Sequence, residues 1–202
     1  MKKQLKLLFI IGIIFLLTGC RTPENPIVTM EIENYGTIKI ELYPEYAPNT
    51  VANFVNLIEQ GFYDNNTFHR LMPGFVLQGG DPDGNGSGGP GYAIRGEFKA
   101  NNYPNNTLEH TTGIISMART QTDYNSAGSQ FFIVLGDTYK SALDNMYAAF
   151  GKVIEGMDVI ENIANNAEIE DADSGKLKEN IRIIKTTVDT KGETYTVNKF
   201  LK

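Results

Sequence analysis

The stretch 68–81, FHRLMPGFVLQGGD, constrains the fold of this chain more than any other. Pro73 and Gly74 at its centre predict a tight turn, because proline presets φ and glycine accepts positive φ. The segments on either side predict the two strands of a β-hairpin. Side chains alternate along a strand, so Phe75 and Gln78 fall on opposite faces of the second arm.

This hairpin also carries the groups of a candidate peptide-binding site. Its first arm bears the guanidinium of Arg70, and its second arm bears the ring of Phe75 and the amide of Gln78. A cation, an apolar surface and an amide near one sheet surface could bind a peptide. A plainer interpretation is open from the residues alone: Arg70 as a surface charge and Phe75 as a core residue.

The spacing of apolar residues predicts the other elements. Further strands are predicted at 27–33, 37–42, 112–117, 130–135, 148–153 and 181–188. Helical spacing predicts helices at 47–60 and 157–164. The segments 81–96 and 165–180 are predicted loops, and 190–202 is a tail.

These elements predict a mainly β fold. With the two arms of the central hairpin there are eight short strands, and an antiparallel barrel closed from them leaves no exposed edge. The two α-helices would cap the open ends of the barrel. No repeat or domain break interrupts residues 27–189, which predicts a single domain.

The N-terminus predicts export and lipid attachment. Residues 1–6 are basic, and the apolar run 7–17 is too short for a permanent membrane helix but fits a signal peptide. The next residues, LTGC, resemble a bacterial lipobox, which implies a diacylglyceryl group on Cys20. An ordinary secretory signal with an incidental cysteine is the alternative. The predicted parts are a leader at 1–19 and a lipidated cysteine with a short tether at 20–26.

Charge and cysteine content exclude some classes of function. The net charge is −6, and loss of three leader lysines would make the mature chain more acidic still. An acidic surface argues against non-specific nucleic-acid binding, which needs a basic face. Cys20 is the only cysteine, so no internal disulfide is possible.

The residues give little support to a metal site or a cofactor. The run 81–86, DPDGNG, matches the first half of a calcium loop, but its twelfth position would be Tyr92 instead of a bidentate glutamate. The histidines, His69 and His110, lack further ligands at zinc spacing. No Walker loop or dinucleotide fingerprint is present. We therefore expect no metal and no cofactor.

Three ordered blocks resemble the cyclophilin-type peptidyl-prolyl cis-trans isomerases. They are 68–81, then GIISMAR and NSAGSQFFI within 113–133, then LDNMYAAFGKV at 143–153. The resemblance implies an eight-stranded barrel with two capping helices, a packed interior and a site on the outer wall. It implies isomerisation of Xaa-Pro bonds, here in exported proteins at the bacterial cell envelope. A non-catalytic, chaperone-like binder of proline-containing segments is the alternative.

The resemblance also implies roles for individual residues. Arg70 would donate to the twisted prolyl amide, and Gln78 would hold Arg70 and bond the substrate backbone. The substrate-binding residues implied are His69, Phe75, Val76, Ala118, Arg119, Gln130, Phe132, Leu143 and Tyr147. Among these, the main-chain groups of Ala118 and Arg119 would face an extended peptide.

Three positions depart from the best-studied members of that family. Tyr147 stands where many members have histidine, and Arg119 replaces a smaller polar residue. Ala142 stands where those members have a tryptophan that contacts cyclosporin, which predicts weak cyclosporin binding.

Overall fold

The computed structural model describes residues 24–201 of the chain. The strands are β1 Ile27–Ile32, β2 Gly36–Leu42, β3 Thr67–Met72, β4 Val76–Asp81, β5 Tyr92–Ala93, β6 Ile114–Met117, β7 Phe131–Val134, β8 Ala149–Glu155, β9 Ile169–Asp171, β10 Lys176–Asp189 and β11 Phe200–Leu201. The α-helices are α1 Pro48–Glu59, α2 Lys140–Leu143 and α3 Met157–Asn166. The predicted leader and Cys20 lie outside the described residues.

Eight strands close into an antiparallel barrel in the order β1-β2-β8-β6-β7-β4-β3-β10. The barrel closes because β1 pairs with β2 on one side and with β10 on the other. The predicted eight-stranded closed barrel is therefore confirmed. None of the helices within 24–201 is long and apolar enough to span a bilayer.

Side-chain alternation divides the apolar residues between two clusters. Phe131 and Leu77 point into the barrel, where Phe131 packs edge-on against Phe54 of α1 with ring centres 5.5 Å apart. Their strand neighbours point outward, because successive side chains face opposite ways. The outer apolar cluster consists of Val76, Ile114, Phe132, Val134, Leu143 and Ala149.

Three predictions of secondary structure were wrong. The predicted loop 81–96 contains the two-residue strand β5, which forms only by pairing with β11 far along the chain. Residues 165–180 are not one loop, because α3 extends to Asn166, β9 follows, and β10 begins at Lys176. Leu177 is the one buried hydrophobic side chain near this hairpin's turn, so the alternation that identifies a strand is weak there. A third helix, α2, was missed because four residues are too few to show a helical period.

The C-terminal segment lies against the barrel domain. Phe200 and Leu201 of β11 pair with Ala93 and Tyr92 of β5. The side chain of Asn49 at the start of α1 also bonds the main chain of Asn198 in both directions, at 3.1 and 2.7 Å.

Candidate active site

One row of residues crosses four strands on the outer wall. Arg70 on β3 stands opposite Gln78 on β4, Gln78 stands opposite Phe132 on β7, and Phe132 stands opposite Ser116 on β6. Residues directly opposite on antiparallel strands share one face of the sheet. The register therefore brings a guanidinium, an amide and an aromatic ring side by side.

Two hydrogen bonds fix the guanidinium of Arg70. Its Nη1 donates to Gln78 Oε1 at 3.1 Å, and its Nε donates to the Ser174 carbonyl at 2.8 Å. Partial burial lowers the pKa of Arg70, but an arginine stays charged in a protein. The planar, permanently charged guanidinium is thus held at two of its nitrogen atoms.

A chain of amides continues from Arg70 along the wall. Gln78 Nε2 donates to Gln130 Oε1 at 3.0 Å, and Gln130 Nε2 donates to the carbonyls of Gly86 and Gly88, each at 3.0 Å. Each amide accepts on its oxygen and donates from its nitrogen. The glycine-rich loop after β4 therefore supports the side chain that holds Arg70.

The carboxylate of Asp81 organises that loop. It accepts backbone N–H bonds from Asp83 at 2.9 Å, from Asn85 at 3.0 Å and from Gly86 at 2.5 Å. Burial alone would raise the pKa of Asp81, but these bonds lower it below its usual range. The run that resembles half a calcium loop thus uses its first carboxylate internally. Within 24–201 no three His, Cys, Asp or Glu side chains converge as metal ligands.

The outer apolar cluster lies next to the amide chain. Phe132 is 4% exposed and meets the Tyr147 ring edge-on, with ring centres 5.6 Å apart. Phe75 packs against the cluster and lies 4.8 Å from the ring of Tyr139, which is 49% exposed. Val76 and Leu143 are buried within the cluster. An aromatic floor with partly exposed rings at its rim suits a small apolar ring such as proline.

A buried polar chain lies beneath Phe132 and was not predicted. His110 stacks on Phe132, with ring centres 6.2 Å apart, while its Nδ1 lies 3.0 Å from Asp144 Oδ1 and its Nε2 lies 3.0 Å from Ser116 Oγ. Ser116 is fully buried, so this chain is no accessible nucleophile. Burial lowers the pKa of His110 although Asp144 opposes it. The chain links β6 to the turn after Leu143 and gave no motif in the sequence.

Arg119 is occupied by contacts within the protein. Its Cζ lies 4.5 Å from the centre of the Tyr147 ring, 4.7 Å from Tyr124 and 5.4 Å from Phe98. Its Nε donates to the Met146 carbonyl at 3.1 Å. The side chain ties the Tyr147 wall of the apolar cluster to the loop that follows β6.

Two other predicted residues have little surface to offer a peptide. His69 is 5% exposed and is the extra residue of a β-bulge between Phe68 and Arg70. Burial is the main cause that lowers the pKa of His69. The N–H of Ala118 donates to the Gln130 carbonyl at 2.9 Å, so that N–H is not available for a bound chain.

A cavity of about 510 Å³ adjoins the row on the side of the glycine-rich loop. Gln78, Gln130 and Ala118 line it together with residues 86–91 and 119–120. Gln78 lines this cavity and also accepts the hydrogen bond from Arg70. An extended peptide whose proline sat in the outer apolar cluster would have room for neighbouring residues here.

A barrel with a fixed arginine beside an aromatic cluster on its outer wall fits the class of prolyl isomerases. The sequence profile described as Cyclophilin type peptidyl-prolyl cis-trans isomerase/CLD matches residues 27–188. The chain belongs to this family, and its enzyme class is peptidyl-prolyl cis-trans isomerase.

Individual relatives agree with this membership. The chain is 46% identical over 134 residues to peptidyl-prolyl cis-trans isomerase B of Bacillus subtilis, which covers 66% of this chain and 87% of the relative. It is 43% identical over 136 residues to an isomerase of Synechococcus elongatus, covering 66% and 86%. A crystal structure of a Cryptosporidium parvum cyclophilin type isomerase, in the presence of the dipeptide Ala-Pro, is similar with a TM-score of 0.69 and 34% identity. That match covers 81% of this chain and 98% of the other.

Proposed function

We propose that this chain isomerises Xaa-Pro bonds of exported polypeptides at the outer face of the cytoplasmic membrane, with Arg70 as the transition-state donor. The observation that carries the proposal is the guanidinium fixed in one row with Gln78 and Phe132. Its Nη2 has no protein partner among residues 24–201, so these donors are free to meet a substrate.

The chemistry needs a positioned donor and no nucleophile. The Xaa-Pro bond has partial double-bond character, and its rotation meets a barrier of about 20 kcal/mol. In the twisted state the lone pair localises on the prolyl nitrogen, and a donor aimed there stabilises that state more than either planar isomer. An acceleration of about 10⁵-fold requires lowering the barrier by about 7 kcal/mol. A charged donor at a partly dry surface, together with orientation, can supply that amount.

The proposed substrates are proline-containing polypeptides. The outer apolar cluster offers Phe132, Leu143 and the rim ring of Phe75 to the proline. The related Cryptosporidium structure was obtained in the presence of Ala-Pro, which supports proline-containing substrates for this chain. Gln78 and Gln130 would then bond the backbone on either side.

The proposed location depends on the leader and on LTGC at 17–20. Two or more acyl chains on Cys20 would anchor the protein stably, whereas one chain gives only marginal membrane binding. The tether at 21–26 would then leave the barrel outside the membrane, where exported chains fold.

The test compares turnover with binding in the same variants. Arg70→Ala in the purified full-length chain should lower kcat/KM by the equivalent of about 3–4 kcal/mol, as loss of a transition-state donor does. Arg70→Lys should remain impaired because it keeps the charge without the planar fork. Exchange NMR measures isomerisation of an Ala-Pro peptide, and a titration of the same peptide measures binding, which should change much less.

Arg182→Ala is the matched control, since it removes an exposed arginine that pairs with Glu33 on β1's side of the barrel. Its turnover should equal that of the wild type. If the wild type binds the peptide without accelerating exchange, the chain is a chaperone-like binder instead. Full activity in Arg70→Ala would remove Arg70 from the mechanism.

A further inference from the structure

The turn between β9 and β10 contacts the strand that carries Arg70. The Ser174 carbonyl accepts the Nε–H of Arg70 at 2.8 Å, and the Gly175 carbonyl accepts the N–H of Leu71 at 2.8 Å. Lys176, the first residue of β10, stands opposite Arg70 in the strand register. Consecutive carbonyls of one turn therefore hold both the main chain and the side chain at this point of β3.

Asp171, the first residue of this turn, holds the turn together by accepting hydrogen bonds from the residues that follow it. Its Oδ1 accepts the N–H of Asp173 at 3.0 Å, and its Oδ2 accepts the hydroxyl of Ser174 at 2.8 Å. Its backbone carbonyl accepts the N–H of Gly175 at 2.8 Å. One carboxylate oxygen thus holds Ser174, whose carbonyl meets Arg70, and the other holds the residue before it.

Gly175 of the turn lies too close to β3 to be replaced by a residue with a side chain. Gly175 has φ +75°, and a Cβ there would lie 2.6 Å from the Leu71 carbonyl and 2.6 Å from Met72 Sδ. Only glycine combines this backbone conformation with this approach. The position of the Ser174 carbonyl relative to β3 is therefore tightly set.

We propose that the turn 171–175 is a positioning element for the arginine, with Asp171 as its positioning residue. The inference rests on the proposed role of Arg70 in turnover. Because the guanidinium is one rigid plane, displacement of the carbonyl that holds Nε swings Nη2 away from a bound prolyl nitrogen. The outer apolar cluster does not include this turn, so peptide binding is preserved. A lost Asp171 carboxylate therefore lowers kcat and leaves KM unchanged.

Kinetics of four variants in the full-length chain test the proposal. Asp171→Ala should lower kcat about tenfold with unchanged KM. A tenfold loss corresponds to the free energy of about one hydrogen bond. Asp171→Asn retains an acceptor for the Asp173 N–H and should recover most of the rate. Ser174→Ala keeps the carbonyl but loses the hydroxyl bond and should fall between them. Asp173→Ala removes the same charge from the same turn, and its carboxylate has no partner within 24–201, so it should match the wild type.

Combining variants separates positioning from general destabilisation. In an Arg70→Ala background, Asp171→Ala should have no further effect on kcat, because the group it positions is gone. An equal proportional loss in both backgrounds would overturn the proposal and make the turn a purely structural element. A rise in KM with kcat unchanged, which would mean weaker peptide binding, would overturn it as well.

A measurement without turnover separates this inference from the proposed function. Solvent exchange of the Arg70 Nε–H, followed by NMR in the free protein, should be slow in the wild type and faster in Asp171→Ala. Unchanged exchange would overturn the positioning role even if the enzyme is active. Accelerated exchange in a protein whose wild type does not isomerise would refute the proposed function alone.

Discussion

The Arg119 guanidinium packs against three rings and bonds the Met146 carbonyl, so the side chain supports a wall of the site from outside. A cation–π contact contributes about 0.5–1 kcal/mol at exposed sites and more when desolvated. Here one cation is shared by three rings, one of which is Tyr147 beside Phe132. Arg119 therefore determines how Tyr147 is held.

Arg119→Ala should raise KM for an Ala-Pro peptide several-fold and leave kcat nearly unchanged. The reason is that Tyr147 loses its backing while Arg70 keeps both anchors. Arg119→Lys should resemble alanine, because an ammonium cannot stack as a plane. Steady-state kinetics measure the split. Arg95→Ala is the control, since within 24–201 that exposed arginine bonds only the carbonyls of Asn101 and Asn102. A fall in kcat without a change in KM would contradict this role.

Ala142 is exposed and directly precedes the buried Leu143 of the outer apolar cluster. Ala142→Trp should tighten cyclosporin binding, because an indole adds contact area and an N–H donor at the rim. Isothermal titration calorimetry measures the affinity in the variant and also in the wild type, which has no tryptophan to follow by fluorescence. Ser141→Trp, one residue earlier and also exposed, is the control. Equal affinity in Ala142→Trp and the wild type would place Ala142 outside the drug interface.

At the scale of secondary-structure elements, the loop that Asp81 organises connects the end of β4 to the amide chain of the site. The pKa of Asp81 is lowered by folding, so its contribution to stability is present in full above its unfolded pKa and is lost as the pH falls through its folded pKa. The thermal midpoint should therefore drop on acidification below about pH 4.

Asp81→Asn should lower the thermal midpoint at pH 7 and remove most of this acid dependence. Circular dichroism melts between pH 3 and pH 7 measure both effects. Asp83→Asn is the matched control, because it neutralises a carboxylate of the same loop that accepts no backbone bond within 24–201. An unchanged acid slope in Asp81→Asn would show that the loop does not depend on that carboxylate.

The predictable parts of the fold are those with strong local signals. The hairpin around Pro73 and Gly74 and the closure of eight strands followed from turn chemistry and side-chain alternation. The β9–β10 hairpin did not, because its outward faces are polar and its turn is set by side-chain bonds of Asp171. Contacts between distant segments, such as Arg70 to Ser174, leave no periodic trace in a sequence.

The same contrast applies to the site. The row of Arg70, Gln78 and Phe132 could be proposed because each residue falls in a block that resembles the cyclophilins. The chain of Asp144, His110 and Ser116 could not, since nothing in the spacing relates a histidine to an aspartate 34 residues later. Only the closed barrel brings the two together under Phe132.

The chain combines an acidic barrel with an N-terminus that predicts a lipid anchor. The chain carries a net charge of −6 and so offers anionic lipid no overall electrostatic attraction, and membrane attachment would depend on acyl chains alone. Site and anchor are then independent parts of the molecule. The described barrel begins after the predicted tether, and its site residues all lie between Arg70 and Ser174.

Cys20→Ala should abolish incorporation of labelled fatty acid and leave the protein as unprocessed precursor or released into the medium. The physical reason is that no other cysteine exists to carry a thioether-linked diacylglyceryl group. Thr22→Ala, two residues later, is the control and should keep full labelling. Metabolic labelling with fractionation measures the location. An Xaa-Pro exchange assay on the released protein should give the wild-type rate, because the anchor contributes nothing to the row of Arg70, Gln78 and Phe132. Labelling that persists in Cys20→Ala would show that the chain is not a lipoprotein of this kind, and lost turnover in a released, folded protein would show that anchor and site are coupled.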